Sequence, residues 1–121
     1  MSKFGDELVE RVESAVDRTI QMVLALPKNV AGWEIGKQVI RSSSSVEANL
    51  EESQVAVSRK DFTNKLSISL KEGRETLYWI RRIERNKLLP VSRLKDLIQE
   101  WDEIVAMITS IQKKLRKEIN L

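Results

Sequence analysis

Four consecutive serines, Ser42 to Ser45, lie inside the segment RSSSSVEANLEES, and their conformation decides whether the chain is one body or two loosely joined pieces. A flexible linker loses its apolar period and usually gains Gly or Pro. Here Ile35, Val39, Ser42, Val46 and Leu50 keep a spacing of three or four residues straight through the run. Trp33, Gly36, Ile40, Ser43 and Glu47 form a weaker stripe beside it, and neither Gly nor Pro occurs between Ser42 and Ser53. The pattern predicts an unbroken helix. Four serines in place of alanine cost a helix about 2 kcal/mol in propensity, so packing has to compensate. Small side chains let a neighbouring helix approach closely, and their hydroxyls can bond the carbonyl one turn earlier.

The rest of the chain repeats the helical spacing. Val9, Val12, Val16, Ile20 and Val23 mark a first helix that Leu26-Pro27 should end. Ser58 is placed to cap a third helix, with Asp61 in capping-box position. Phe62, Leu66, Ser69, Gly73, Thr76 or Leu77, Ile80 and Ile83 follow, and Ser69 with Gly73 forms a second narrow zone that could receive the serine segment. Leu88-Leu89-Pro90 closes that helix and Ser92 can cap the next, whose stripe of Leu94, Leu97, Trp101, Ile104, Ile108, Ile111 and Leu115 is the longest in the chain. The expected helices cover residues 6–26, 31–53, 59–87 and 92–118 of one domain, 1–121. Short connections return each helix beside its predecessor, so the expectation is an all-α, up-down-up-down antiparallel four-helix bundle. A composition with 32% charged residues and only 4 Gly and 2 Pro suits helices with charged outer faces.

There is no cysteine and no histidine, which removes thiolate metal sites, disulfides and the commonest general base and metal ligand. The first residues lack the apolar core of a signal peptide, and no segment reaches the length of a membrane span. These features predict a soluble, cytoplasmic protein. The net charge of +3 is unevenly distributed: residues 1–56 hold 6 basic and 9 acidic side chains, residues 57–121 hold 15 and 9. The positive field belongs to the second half.

The runs LPK (Leu26 to Lys28), IRSSSSVEANLEESQ (Ile40 to Gln54) and SRKDFTNKLSISLKEGRETLYWI (Ser58 to Ile80) resemble the four-helix-bundle proteins encoded by intervening sequences in bacterial 23S ribosomal RNA genes. The last helix, WDEIVAMITSIQKKLRK, has a similar rhythm, so the resemblance covers nearly the whole chain. The accessory proteins of diversity-generating retroelements look like more distant relatives. The resemblance implies a homo-oligomer, a ring of five bundles, with no agreed biochemical activity and with association to nucleic acid in some members. Glu47 departs from a frequent glycine of that family, and Ser53 and Gly73 stand where alanine or glycine is common.

Several residue groups are candidates for a role. Arg81, Arg82, Arg85 and Lys87, with Arg93 and Lys95 across the Pro90 turn, form a basic cluster suited to a phosphate backbone; basic residues at a helix C-terminus are also simply favourable there. Lys113, Lys114, Arg116 and Lys117 make a second basic run, read as a solvated helix end. Arg41, Ser43, Ser44, Glu72 and Glu75 are expected to pair inside the bundle as a polar layer that sets helix register. Trp79 and Tyr78 are expected at an oligomer interface, with stacking on an unpaired base as the other role for Trp79. Trp33 and Trp101 fit core or interface positions. Glu51, Glu52, Glu72 and Glu75 invite a di-metal reading, but bundle sites of that kind also use Glu-x-x-His pairs, and no histidine exists. The reading is a non-enzymatic, self-associating scaffold that binds RNA or DNA, without cofactor, metal, membrane or small-molecule substrate. Its alternatives are a carboxylate-based metal enzyme in the bundle core and a purely structural oligomer.

Overall fold

The turns are built from residues that stop one helix and cap the next. In the computed structural model, which describes residues 3–119, the helices are α1 (Lys3–Leu24), α2 (Val30–Gln54), α3 (Arg59–Arg85) and α4 (Val91–Ile119). Asn29 caps α2, its side chain accepting the Gly32 N–H at 3.0 Å. Gly32 is required by space: a Cβ there would collide with the Pro27 carbonyl oxygen as the chain doubles back. Ser58 caps α3, accepting the Asp61 N–H at 3.0 Å, and the Asp61 carboxylate accepts the Val57 N–H at 3.3 Å, one residue upstream of the partner a capping box uses. At its other end α3 stops at Arg85. Lys87 lies in the left-handed region with φ 55°, and the N–H groups of Lys87 and Leu88 bond the carbonyls of Glu84 and Ile83, a Schellman closure with lysine where glycine is usual. α4 begins at Val91, so Ser92 sits in the first turn instead of capping it.

Each helix packs on its sequence neighbours and α4 returns against α1. The result is the four-helix bundle expected from the spacing, with the α1–α2 edge opposite the α3–α4 edge. The α1–α2 and α3–α4 turns share one end, and the α2–α3 turn occupies the other. No helix among the described residues is long and apolar enough to cross a membrane.

The serine run is helical throughout, and Ser42 and Ser43 are fully buried. The expected stripes of α3 and α4 supply Leu66, Leu77, Ile80, Ile83, Leu94, Leu97, Trp101, Ile104 and Ile108 to one core. α1 corrects the expectation: it is turned by about one residue, so Leu8, Val12, Ala15, Val16, Thr19, Met22 and Leu26 are buried, while Val9, Ile20 and Val23 pack at the margin. The cause is Trp101, the largest fully buried side chain. Its indole N–H donates to the Thr19 hydroxyl at 2.9 Å, which needs a small polar residue of α1 opposite it. Trp33 is not in the core; it is 60% exposed.

Candidate functional site

The expected polar layer divides into a dry part and a wet part. Inside, the hydroxyls of Thr76 and Ser42 hydrogen-bond across α2–α3 at 2.9 Å, and Ser69 donates to the Val46 carbonyl at 2.9 Å. Ser43 bonds the Ile40 carbonyl of its own helix. No buried side-chain polar atom among the described residues lacks a partner, as a low-dielectric layer requires. Outside, Arg41 is half exposed and grips Glu72, at 3.2 Å, and Glu75. Ser44 is exposed and takes no part in the layer, because two residues of helix carry it about 200° round from Ser42, away from the buried side.

A matching clamp joins α1 to α4, where Arg11 holds Glu100 at 2.6 Å and Glu103. These hydrogen bonds raise the pKa of the Arg11 guanidinium and, with one from Gln99, lower that of Glu103. Sequence reading missed this clamp, although Glu100 and Glu103 repeat the Glu-x-x-Glu spacing of Glu72 and Glu75.

The glutamates of the di-metal reading do not converge. Glu72 and Glu75 are held by Arg41 and Glu52 by Lys65 at 3.3 Å, whereas Glu51 lies beside Glu13 and Glu47 on the α1–α2 edge. Burial and the neighbouring charges of Glu51, Glu13 and Asp17 push the Glu47 pKa up. The buried polar side chains among the described residues are serines and threonines, not carboxylates.

The basic cluster also divides. Arg81 is spent on Asp102 of α4, with both carboxylate oxygens within 3.1 Å. Arg82 donates to the Tyr78 hydroxyl at 2.8 Å and lies 5.3 Å from the centre of its ring. Arg85, Lys87, Arg93 and Lys95 are exposed and form no ion pair among the described residues. They surround the α3–α4 turn at the end of the bundle that also carries exposed Lys28 on the α1–α2 turn. The left-handed backbone at Lys87 carries the chain sharply around this end. Arg93 faces α1, where it borders a cleft of about 620 Å³ with Arg18, Asp17 and Asp96 over a floor that includes Ile20, Met22 and Leu97.

Tyr78 and Trp79 meet edge to face with ring centres 4.9 Å apart but serve different sides of α3. Trp79 packs against the core margin and its indole N–H donates to Glu75 at 3.4 Å. Tyr78 is 49% exposed and lines a furrow of about 330 Å³ with Arg74, Leu77, Arg81 and Arg85. Arg74 was not singled out as a basic-site residue, yet its four-residue spacing from Tyr78 marks it as a neighbour on that face.

The family model described as 23S rRNA-intervening sequence protein matches residues 7–110. Among curated proteins none matches the chain. A solved structure described as a protein of unknown function from the S23 ribosomal protein family of Bacteroides thetaiotaomicron is 30% identical. It superposes with a TM-score of 0.82 over 88% of this chain and 98% of that one.

Proposed function

The chain belongs to the 23S rRNA-intervening sequence protein family, and we propose that it works without catalysis, as a self-associating scaffold that holds the phosphate backbone of RNA or DNA at one end of the bundle. The observation that carries this reading is the state of the charges. Arg11, Arg41, Arg59, Lys65 and Arg81, along the helix faces, are paired with carboxylates of another helix. Arg18, Lys71, Arg74, Lys113, Lys114, Arg116 and Lys117 also form no ion pair among the described residues, but around the Pro90 turn four such cations, Arg85, Lys87, Arg93 and Lys95, gather at one end of the bundle.

Unpaired surface cations that displace counterions from a polyanion gain affinity in proportion to the number of phosphates met. One bundle meets few of them. A homo-oligomer, with a ring of five as the stoichiometry, repeats the basic end around an axis and multiplies weak binding into avidity. The protein then acts in the cytoplasm, with itself and a nucleic acid as partners and no cofactor.

The test is binding of the purified protein to RNA and DNA across a salt series, beside the triple variant Lys87→Glu, Arg93→Glu, Lys95→Glu. The expectation is a linear fall of log affinity with log salt. In the variant, binding should weaken and the slope should shrink by about one for each phosphate that is no longer neutralised. Equal retention by the variant, or no binding by either protein, refutes the polyanion reading and leaves a purely structural oligomer.

A further inference from the structure

We propose that the groove between the end of α1 and the start of α2 takes an unpaired base of a nucleic-acid strand, stacked on the Trp33 indole. This rests on the polyanion binding proposed above and specifies the form of its ligand, a single strand or open loop whose bases have a free face.

The fold treats its three tryptophans differently. Trp101 is fully buried and donates to Thr19, and Trp79 packs at the core margin and donates to Glu75. Trp33 is 60% exposed, and its indole N–H makes no hydrogen bond among the described residues. Its ring is open as well. Tyr78, also exposed, is already engaged by Arg82, 5.3 Å from the ring centre, and by Trp79, whereas no cation or second ring among the described residues lies on Trp33.

The surroundings of the indole suit a flat ligand. Trp33, Gly36, Lys37 and Ile40 share one face of α2 by helical spacing. Gly36 puts no side chain beside the indole, and a groove of about 530 Å³ opens there over Val23, Leu26 and Pro27, with the exposed Leu24 and Ile40 at its rim. The floor is shallow because the two helices pass closely: a Cβ at Gly36 would lie 3.0 Å from Val23. A base, apolar on its faces and polar at its edges, fits such a depression by stacking.

Charge identifies the occupant. Lys28 borders the groove, exposed and without an ion pair among the described residues, and Lys37 borders it too, shared with Glu34 at 3.5 Å. An apolar protein surface seated on Trp33 would cover these ammonium groups without compensating them. A nucleotide supplies the stacking face and the phosphate together. The groove also lies at the bundle end that carries Arg85, Lys87, Arg93 and Lys95. Packed helix axes are about 10 Å apart, so that end is only a few nucleotides wide, and a strand held there by its phosphates reaches Trp33. A duplex offers the phosphates but keeps its base faces stacked on one another.

The purified protein is titrated with an unstructured strand of about 12 nucleotides, as RNA and as DNA, with the same strand annealed to its complement, and with a DNA backbone of that length lacking bases. The single strand should bind more tightly than the abasic backbone and quench the exposed tryptophan emission, while the abasic backbone and the duplex bind through charge without quenching. Trp33→Ala should weaken single-strand binding at least about fivefold and leave the abasic backbone unaffected. Equal binding of the single strand and the abasic backbone overturns the proposal, as does a Trp33→Ala chain of unchanged affinity; in both cases salt-dependent binding, and with it the phosphate reading, survives. A Trp33→Ala chain whose mass by light scattering falls together with its affinity for every one of these ligands places the indole between copies and also overturns it. No binding to any of them removes both readings.

Discussion

Where α2 meets α3, the buried polar side chains include Ser42, Ser43, Ser69 and Thr76, and the two helices are joined by one bond between the Thr76 and Ser42 hydroxyls and by the Ser69 hydroxyl donating to the Val46 carbonyl. Where α1 meets α4, the centre is filled by Trp101, whose single polar atom is satisfied by Thr19. Each seam carries the same clamp outside, an arginine gripping two glutamates three residues apart, Arg41 on Glu72 and Glu75, Arg11 on Glu100 and Glu103. Equal clamps around unlike centres mean that ion pairs set the register while side-chain volume sets how closely the helices approach. The volumes are the residues to perturb first.

The largest effect belongs to the filled seam. Trp101→Ala removes the biggest fully buried side chain and strands the space it occupied, an expected loss of about 3–5 kcal/mol in denaturant unfolding. Trp101→Phe keeps most of the volume and loses the bond to Thr19, so its loss should be clearly smaller. Equal losses would mean that the hydrogen bond, not the volume, holds α1 to α4.

The thin seam should fail in the opposite direction, by addition. Ser69→Leu forces branched carbons against the Val46 carbonyl that its hydroxyl now bonds, and should cost about 1–3 kcal/mol. Ser69→Ala removes one hydrogen bond and should cost about 1 kcal/mol. If Ser69→Leu proves the milder change, the small residues are not there for close approach. Gly73, expected to face the serine segment, is constrained instead by α4: a Cβ there would lie 3.1 Å from Val105 but 3.9 Å from Val46 of α2.

These two seams were not equally legible in the sequence. The serines could be read because the apolar period resumed in phase at Val46 and Leu50, and a period survives only if the backbone is continuous. α1 was read one residue out of rotation because two overlapping apolar sets, Val9-Ile20-Val23 and Leu8-Ala15-Thr19-Met22, both keep helical spacing. Only the partner Trp101, more than eighty residues away, chooses between them. Ser44 was misplaced for a similar reason: four identical residues carry no phase of their own. In the basic cluster, Arg81 and Arg85 look alike until Asp102 is placed beside the first. Periodicity is local and survives in one dimension, whereas pairing across helices depends on a fold already formed.

The smallest effect should appear in the clamps, and acid can separate it from packing. The Arg11 hydrogen bond, with the one from Gln99, lowers the Glu103 pKa in the folded chain. A carboxyl with a depressed folded pKa adds stability that is present above its unfolded value, about 4.3 for glutamate. That stability is lost as pH falls through the depressed value. Arg11→Met keeps an apolar stem and abolishes the charge together with the guanidinium contact to the Met107 sulfur at 3.4 Å. The difference between wild type and variant, measured by denaturation from pH 7 to pH 3, should therefore be greatest near neutrality and shrink in acid. It should also shrink in high salt, because Glu103 is open to solvent. A difference that held constant down to pH 3 would assign the role of Arg11 to its apolar stem, and the likeness between the two clamps would then be one of geometry alone.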